Sequence, residues 1–146
     1  MTTINRYRHD RRVVPSRERA LVGVELGTGI MALTGGVLLA VRPDGSLLQA
    51  DMSALAGSPF FDYRMPGVLL AVLVGGGYVG TGVWQALGRP FARELSLLAG
   101  AGIILFEGAE LVWLGFQPLE AVFAAVGVAV LALAWGLPRG RRQTLS

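Results

Sequence analysis

The chain has 146 residues, of which 53% are hydrophobic and 16% are charged. Its mean hydropathy of +0.55 is higher than that of an ordinary soluble domain. The formal net charge is +3, and all 13 basic residues are arginines that gather at the ends of apolar segments rather than along one face. Because the chain contains no cysteine, disulfides, thiolate metal sites and cysteine nucleophiles are excluded. We therefore expect an integral membrane protein that does not bind nucleic acid.

The chain opens with a basic stretch that leads into a long apolar segment. Residues 1–19 hold six arginines and few apolar side chains, which predicts a disordered cytoplasmic tail. Residues 20–41 contain one charged residue, Glu25, and at 1.5 Å per residue they reach roughly 33 Å, enough to cross a bilayer. A cleaved signal peptide is the alternative. It is disfavoured because the nearest small-x-small site, Ala54-Leu55-Ala56, lies too far downstream.

Three further apolar segments follow, separated by connections of different length. The longest connection, residues 42–66, begins with the turn signal Pro43-Asp44-Gly45 and has the spacing of a short amphipathic helix over residues 47–56. The remaining spans are predicted at residues 67–87, 95–116 and 119–137. Since Gln117-Pro118 is the whole connection between the last two spans, they are predicted to form an antiparallel hairpin. The predicted fold class is an all-α, four-helix transmembrane bundle with a second basic tail at residues 138–146.

The distribution of arginine predicts the orientation of this bundle. Eleven of the 13 arginines fall in the two tails and the second connection, which places both termini in the cytoplasm. The tails are also expected to attract anionic lipid headgroups. The use of arginine in place of lysine, with abundant Ala, Gly, Val and Leu, indicates a GC-rich genome, so we expect the cytoplasmic membrane of a bacterium.

Acidic residues inside the predicted spans are the features closest to a functional site. Glu107 is expected near the bilayer midplane, with Glu110 one turn further out on the same face and Glu25 in the first span. A carboxyl group in this position must be protonated, paired or hydrated. In the structural interpretation, Glu107 shares a proton with Glu110, and Arg64 reaches toward Glu110. In the functional interpretation, Glu107 and Glu110 handle protons in a small proton-coupled carrier or channel.

The 21 glycines favour a second interpretation, close packing of helices. Three pairs of small residues are spaced four apart, as in helix-association motifs: Gly23 with Gly27, Gly76 with Gly80, and Ser96 with Gly100. No phosphate-binding loop or nucleophile triad is present, so an enzyme is the least expected class and no cofactor is predicted. The leading hypothesis is a non-enzymatic subunit or scaffold that associates with a second copy or another membrane protein.

One stretch resembles a group of small bacterial four-span membrane proteins of uncharacterised function. It is Pro59-Phe60-Phe61-Asp62-Tyr63-Arg64-Met65-Pro66-Gly67, a Pro-Phe-x-Asp-Tyr-x-x-Pro-Gly pattern before a glycine-rich span. Glu110 and Trp113 in the third span, with the turn Gln117-Pro118, add to the resemblance, which covers residues 57–137. The resemblance implies architecture and location and carries no activity.

Overall fold

The computed structural model describes residues 16–114 and 118–138. Within these residues the chain is helical and contains no strand, which confirms the predicted all-α class. Four principal helices follow one another, and we number them in chain order: α1 (Ser16–Val41), α2 (Arg64–Ala86), α3 (Ala92–Leu114) and α4 (Pro118–Trp135). Helix α2 is continuous but changes to π-helical geometry over Leu70–Gly76.

Three of these helices are long and apolar enough to cross a membrane, namely α1, α2 and α3. The apolar part of α4, Glu120–Trp135, is shorter. Many large apolar side chains face outward from the bundle, including Met31, Leu105 and Val112. So many exposed large apolar side chains are expected where lipid, not water, surrounds a protein.

Helix α1 begins earlier than the sequence predicted. Ser16–Arg19 were assigned to a disordered tail but form the first turn of α1, so that assignment is wrong for these residues. Glu18 favours this start because an acidic side chain in a first turn interacts well with the helix dipole. The Glu18 carboxylate also accepts a hydrogen bond from Gln85 Nε2 of α2 at 3.2 Å. The rest of that tail, residues 1–15, and the tail from residue 139 onward lie outside the described residues.

Helices α1 and α2 form an antiparallel hairpin held by close backbone contact. A Cβ atom placed on Gly36 would lie 2.5 Å from the backbone nitrogen of Ala71, and one on Gly67 would lie 2.6 Å from the carbonyl oxygen of Gly36. Gly29 and Gly75 are equally tight against the opposite helix. Glycine is therefore required along this interface, since any side chain would push the two helices apart.

Helices α3 and α4 form the second antiparallel hairpin, in agreement with its prediction. Gly100 packs against Leu131, Gly127 packs against Ile103, and Arg93 Nε donates to the carbonyl oxygen of Ala134 at 3.1 Å. These pairings run in opposite directions along the two helices. Of the predicted turn, Gln117 lies outside the described residues, and Pro118 is the first residue of α4.

The connection between α1 and α2 does not contain the predicted amphipathic helix over residues 47–56. Two short 3₁₀ turns, Ser46–Leu48 and Met52–Leu55, stand in its place. Gln49 between them has a φ of 54°, a left-handed conformation that ends any helix. Asp51 then starts the second turn by accepting a hydrogen bond from the Ser53 amide, which holds the pKa of the Asp51 carboxyl below its usual range.

One end of the bundle carries arginine side chains from both hairpins. At that end the Arg17 guanidinium lies against Gly136 after α4, and Arg89 and Arg93 lie over the rings of Trp84 and Trp135. We call this the arginine end. The opposite end, which carries the connection between α1 and α2, is the loop end.

Candidate functional site

The most enclosed charged group in the described part of the chain is the carboxyl of Glu25. The side chain is 0% exposed, and it lies where α1 meets both α2 and α3. The hydroxyl groups of Thr81 and Ser96 lie beside this carboxyl. Neither carboxyl oxygen has a hydrogen-bond partner among the described residues, and the Ser96 hydroxyl has none either. Among the described residues, no cationic side chain therefore lies against this enclosed carboxyl.

A second buried polar residue links this junction toward the arginine end. Gln85 is buried on α2, one turn from Thr81, and donates to Glu18. Its amide oxygen has no partner among the described residues. Glu18, in the first turn of α1, is half-buried. Polar side chains thus extend from the arginine end to Glu25, a feature that the sequence analysis did not predict.

The acids on α3 lie elsewhere, at the interface with α4. Glu107 is 6% exposed, and its Oε2 atom has no hydrogen-bond partner among the described residues. Its carboxyl interacts electrostatically with those of Glu110 and Glu120. Glu120 belongs to the first turn of α4, so Glu107 faces the start of that helix. The structure brings Glu107 and Glu110 together, and it keeps both of them apart from Glu25.

The predicted contact between Arg64 and Glu110 does not form. Arg64 is the first residue of α2 and its side chain is exposed. Within the described ranges the ion pair that forms joins Arg93 and Glu94, at 3.8 Å. Helix α2 packs along α1 through its glycines. The first turns of α2, which begin at Arg64, therefore pack on α1.

The predicted packing residues divide into two groups. Ser96 and Gly100 are buried inside the bundle. Gly23, Gly27 and Gly80 are exposed and have no contact within 4 Å of an added Cβ, and Gly76 has one, to its own helix. Inside the chain, the close contacts between α1 and α2 are made by other glycines. The sequence missed these because their spacing of seven or eight residues differs from the four-residue motif.

Two apolar grooves separate the hairpins along their sides. The groove between α2 and α3 measures about 420 Å³ and includes Tyr78, Thr81 and Phe106 in its lining. The groove between α1 and α4 measures about 510 Å³ and includes Val24 and Ala125. Tyr78 is buried, donates to the carbonyl oxygen of Ala99 at 3.3 Å, and interacts electrostatically with Glu25. The first groove therefore passes directly beside the Glu25 junction.

No family model, no curated protein and no solved structure matches this chain. The described residues also contain no group of three or more His, Cys, Asp or Glu side chains placed to hold a metal ion.

Proposed function

We propose that this protein is a four-span membrane subunit without catalytic activity, which associates through the outward glycines of its first hairpin. The observation that carries the proposal is the exposure of Gly23 and Gly27 on α1 and of Gly76 and Gly80 on α2. None of these four glycines packs against another helix within the described part of the chain. Pairs of small residues spaced four apart let transmembrane helices approach closely, and equivalent pairs on two copies can meet across a two-fold axis. The partner we propose is a second copy of this chain.

Membrane insertion through four helices is part of the same proposal. Helix α4 has 18 residues, about 27 Å at 1.5 Å per residue, slightly less than a typical hydrocarbon core. Its antiparallel packing on α3 supports a fourth crossing, and a modest length mismatch is tolerated by local thinning of the bilayer. Arg17, Arg19, Arg89 and Arg93 at the arginine end support a cytoplasmic position for that end, in a bacterial inner membrane. The resemblance to small bacterial four-span proteins stays part of this proposal.

A leucine at Gly27 tests the association. Gly27→Leu adds bulk where no atom lies within 4 Å of the new Cβ, so the fold should survive while a dimer interface would be blocked. The matched control is Gly108→Leu, the same change at an exposed glycine of α3 that also has no neighbour within 4 Å. We expect the wild type and the control to be dimers in mild detergent by native mass spectrometry, and Gly27→Leu to shift at least tenfold toward monomer.

Two results would contradict the association proposal. A wild-type protein that is strictly monomeric in mild detergent and in bilayer nanodiscs would remove it. A different membrane protein recovered in stoichiometric amount, with no second copy, would replace the proposed partner.

A second candidate function is a small proton-coupled carrier or channel that uses Glu107 and Glu110. The observation in its favour is the buried and unpartnered Oε2 atom of Glu107. Ionisable groups buried in membrane bundles mark ion pathways, but a carboxyl that faces the start of α4 also has a structural use, since it interacts favourably with the helix dipole. We rank the carrier second for that reason.

A further inference from the structure

The Glu25 junction has the properties of a binding site for one small cation. The carboxyl is fully enclosed, and a carboxylate removed from water must be neutralised by a bound cation or a proton. One carboxyl supplies a single negative charge, which selects a monovalent species over a divalent one. The oxygen atoms around the site belong to Glu25, Thr81 and Ser96.

No charged side chain in the described part of the chain lies against the Glu25 carboxyl and neutralises it. From α2 the titratable group that faces Glu25 is Tyr78, whose hydroxyl is donated to Ala99. From α3 the facing group is Ser96. The nearest arginine on that helix, Arg93, is directed to Ala134, Glu94 and Trp135. On α4 the charged residue among those described is Glu120, which lies at the loop end.

The surroundings of Glu25 also give the site a direction. Toward the arginine end lie Thr81, Gln85 and half-buried Glu18, all polar. Toward the loop end, beyond Thr28 and Tyr78, the buried residues of α1 and α2 are small or apolar: Gly29, Ala32, Gly36, Gly67, Ala71, Val74 and Gly75. Polar groups therefore continue from Glu25 to the arginine end, whereas on the loop side the buried polar groups of α1 and α2 stop at Thr28 and Tyr78.

We propose that Glu25 binds a single proton and exchanges it with solvent at the arginine end of the bundle. When the proton is bound, Glu25 is a neutral acid, which is stable in the enclosed contact between the first hairpin and α3. When the proton is released, the Glu25 carboxylate draws water into the junction, and the contact between the first hairpin and α3 weakens. The proton-binding site is separate from Glu107 and does not depend on self-association.

A hydrophobic carbodiimide reports the proton directly in the wild-type protein. The reagent adds the O–H of a protonated carboxyl across one C=N bond, and the adduct rearranges to a stable N-acylurea with no leaving group. The apolar groove lined by Tyr78 and Thr81 brings such a reagent to the side chains that lie next to Glu25. Peptide mass spectrometry then locates the added mass at Glu25, separately from any label at Glu107.

The measurement uses the full chain in lipid vesicles of known protein orientation, with the pH set independently on each side. We expect labelling of Glu25 to fall at least tenfold as the pH on the arginine-end side is raised from 5 to 9, an interval on the order of the range that buried carboxyls span. Labelling should be unaffected by the pH on the loop-end side and by Na⁺. Labelling that does not change with the arginine-end pH, labelling that depends on the loop-end pH, or protection by Na⁺ at constant pH would each overturn the proposal, the last in favour of a sodium site.

A substitution at Gln85 tests the path of the proton from the arginine end without altering Glu25 itself. Gln85→Leu removes the polar group between Glu18 and Thr81, so the change in Glu25 labelling after a pH jump should slow at least fivefold. The control is Glu94→Gln, a charge removal at an exposed residue of the same end. Equal rates in the wild type and Gln85→Leu would show that the proton does not pass Gln85.

Discussion

Single glycines set the distance between α1 and α2. An added Cβ at Gly36 would lie 2.5 Å from the Ala71 nitrogen, a backbone atom that cannot rotate away. We expect Gly36→Ala to destabilise the protein by about 1–3 kcal/mol, because overpacking forces the helices apart. Reversible unfolding in mixed micelles measures this change in the free energy of unfolding.

Gly27 on the same helix provides the matched control for that substitution. Nothing lies within 4 Å of its added Cβ, and alanine is the better helix former by about 1 kcal/mol. In the monomer, where no second copy covers Gly27, Gly27→Ala should therefore leave stability unchanged or raise it slightly. Equal losses for Gly36→Ala and Gly27→Ala would mean that helix contact is not what makes Gly36 necessary.

A substitution at Glu107 distinguishes the two candidate functions. Glu107→Gln keeps the size of the side chain and removes its titration, so a carrier that uses this acid should lose pH-driven proton flux in proteoliposomes and still fold. A subunit without transport activity has no flux to lose. In such a subunit Glu107→Gln should leave the free energy of unfolding unchanged or raise it slightly, since it removes a buried ionisable group without opening a cavity. Wild-type flux that survives Glu107→Gln would take this residue out of the mechanism.

At the scale of elements, the connection between α1 and α2 is ordered by the same residues that carry the sequence resemblance. Tyr63 is buried, and its hydroxyl donates to the carbonyl oxygen of Asp51 at 2.6 Å. Asp62 Oδ1 accepts from the amide of Arg64 at the start of α2, and Gly67 packs against α1. In this structure the motif shapes a turn and a helix start, which gives it a structural use whatever the activity.

Removing one hydroxyl tests how firmly that connection is held. Tyr63→Phe keeps the ring but leaves the Asp51 carbonyl without its donor, at an expected cost of about 0.5–1.5 kcal/mol. Hydrogen exchange of the amides in residues 45–56 should quicken accordingly, while the helices stay protected. Phe61→Leu, at a side chain that is 97% exposed, should change nothing. Faster exchange across α1 and α2 as well would show that the hydroxyl holds the hairpin and not the loop.

At the scale of the whole molecule, the arrangement predicts which end faces which side of the membrane. The chain has no cysteine, so an introduced thiol has no background. Phe61→Cys at the loop end should react with a membrane-impermeant maleimide added outside intact cells. Leu87→Cys, exposed at the arginine end, should react only after the membrane is permeabilised. The reverse pattern would overturn the proposed orientation, and labelling of both sites from outside would contradict membrane spanning by α2.

Much of the architecture could be predicted because it follows from local chemistry. Long apolar runs with few charges predict helices by length and composition, and the short Gln117-Pro118 connection predicts an antiparallel pair. The acids of α3 were recognised for the same reason, since a carboxyl stands out in an apolar segment. The predicted amphipathic helix failed because one residue, Gln49, adopts a left-handed conformation that periodicity does not reveal.

The amino-acid sequence by itself determined the helices, the separation of arginines between the two ends and the presence of acids among apolar residues, since each depends on neighbours along the chain. Tertiary structure decided which of those residues meet. It turned Gly27 outward and Gly36 inward, although both are glycines of one helix, and it kept Arg64 from Glu110. It also enclosed Glu25 against Thr81 and Ser96 from two other helices. These contacts depend on how each helix is rotated about its axis, and that rotation is set by packing between helices distant in sequence.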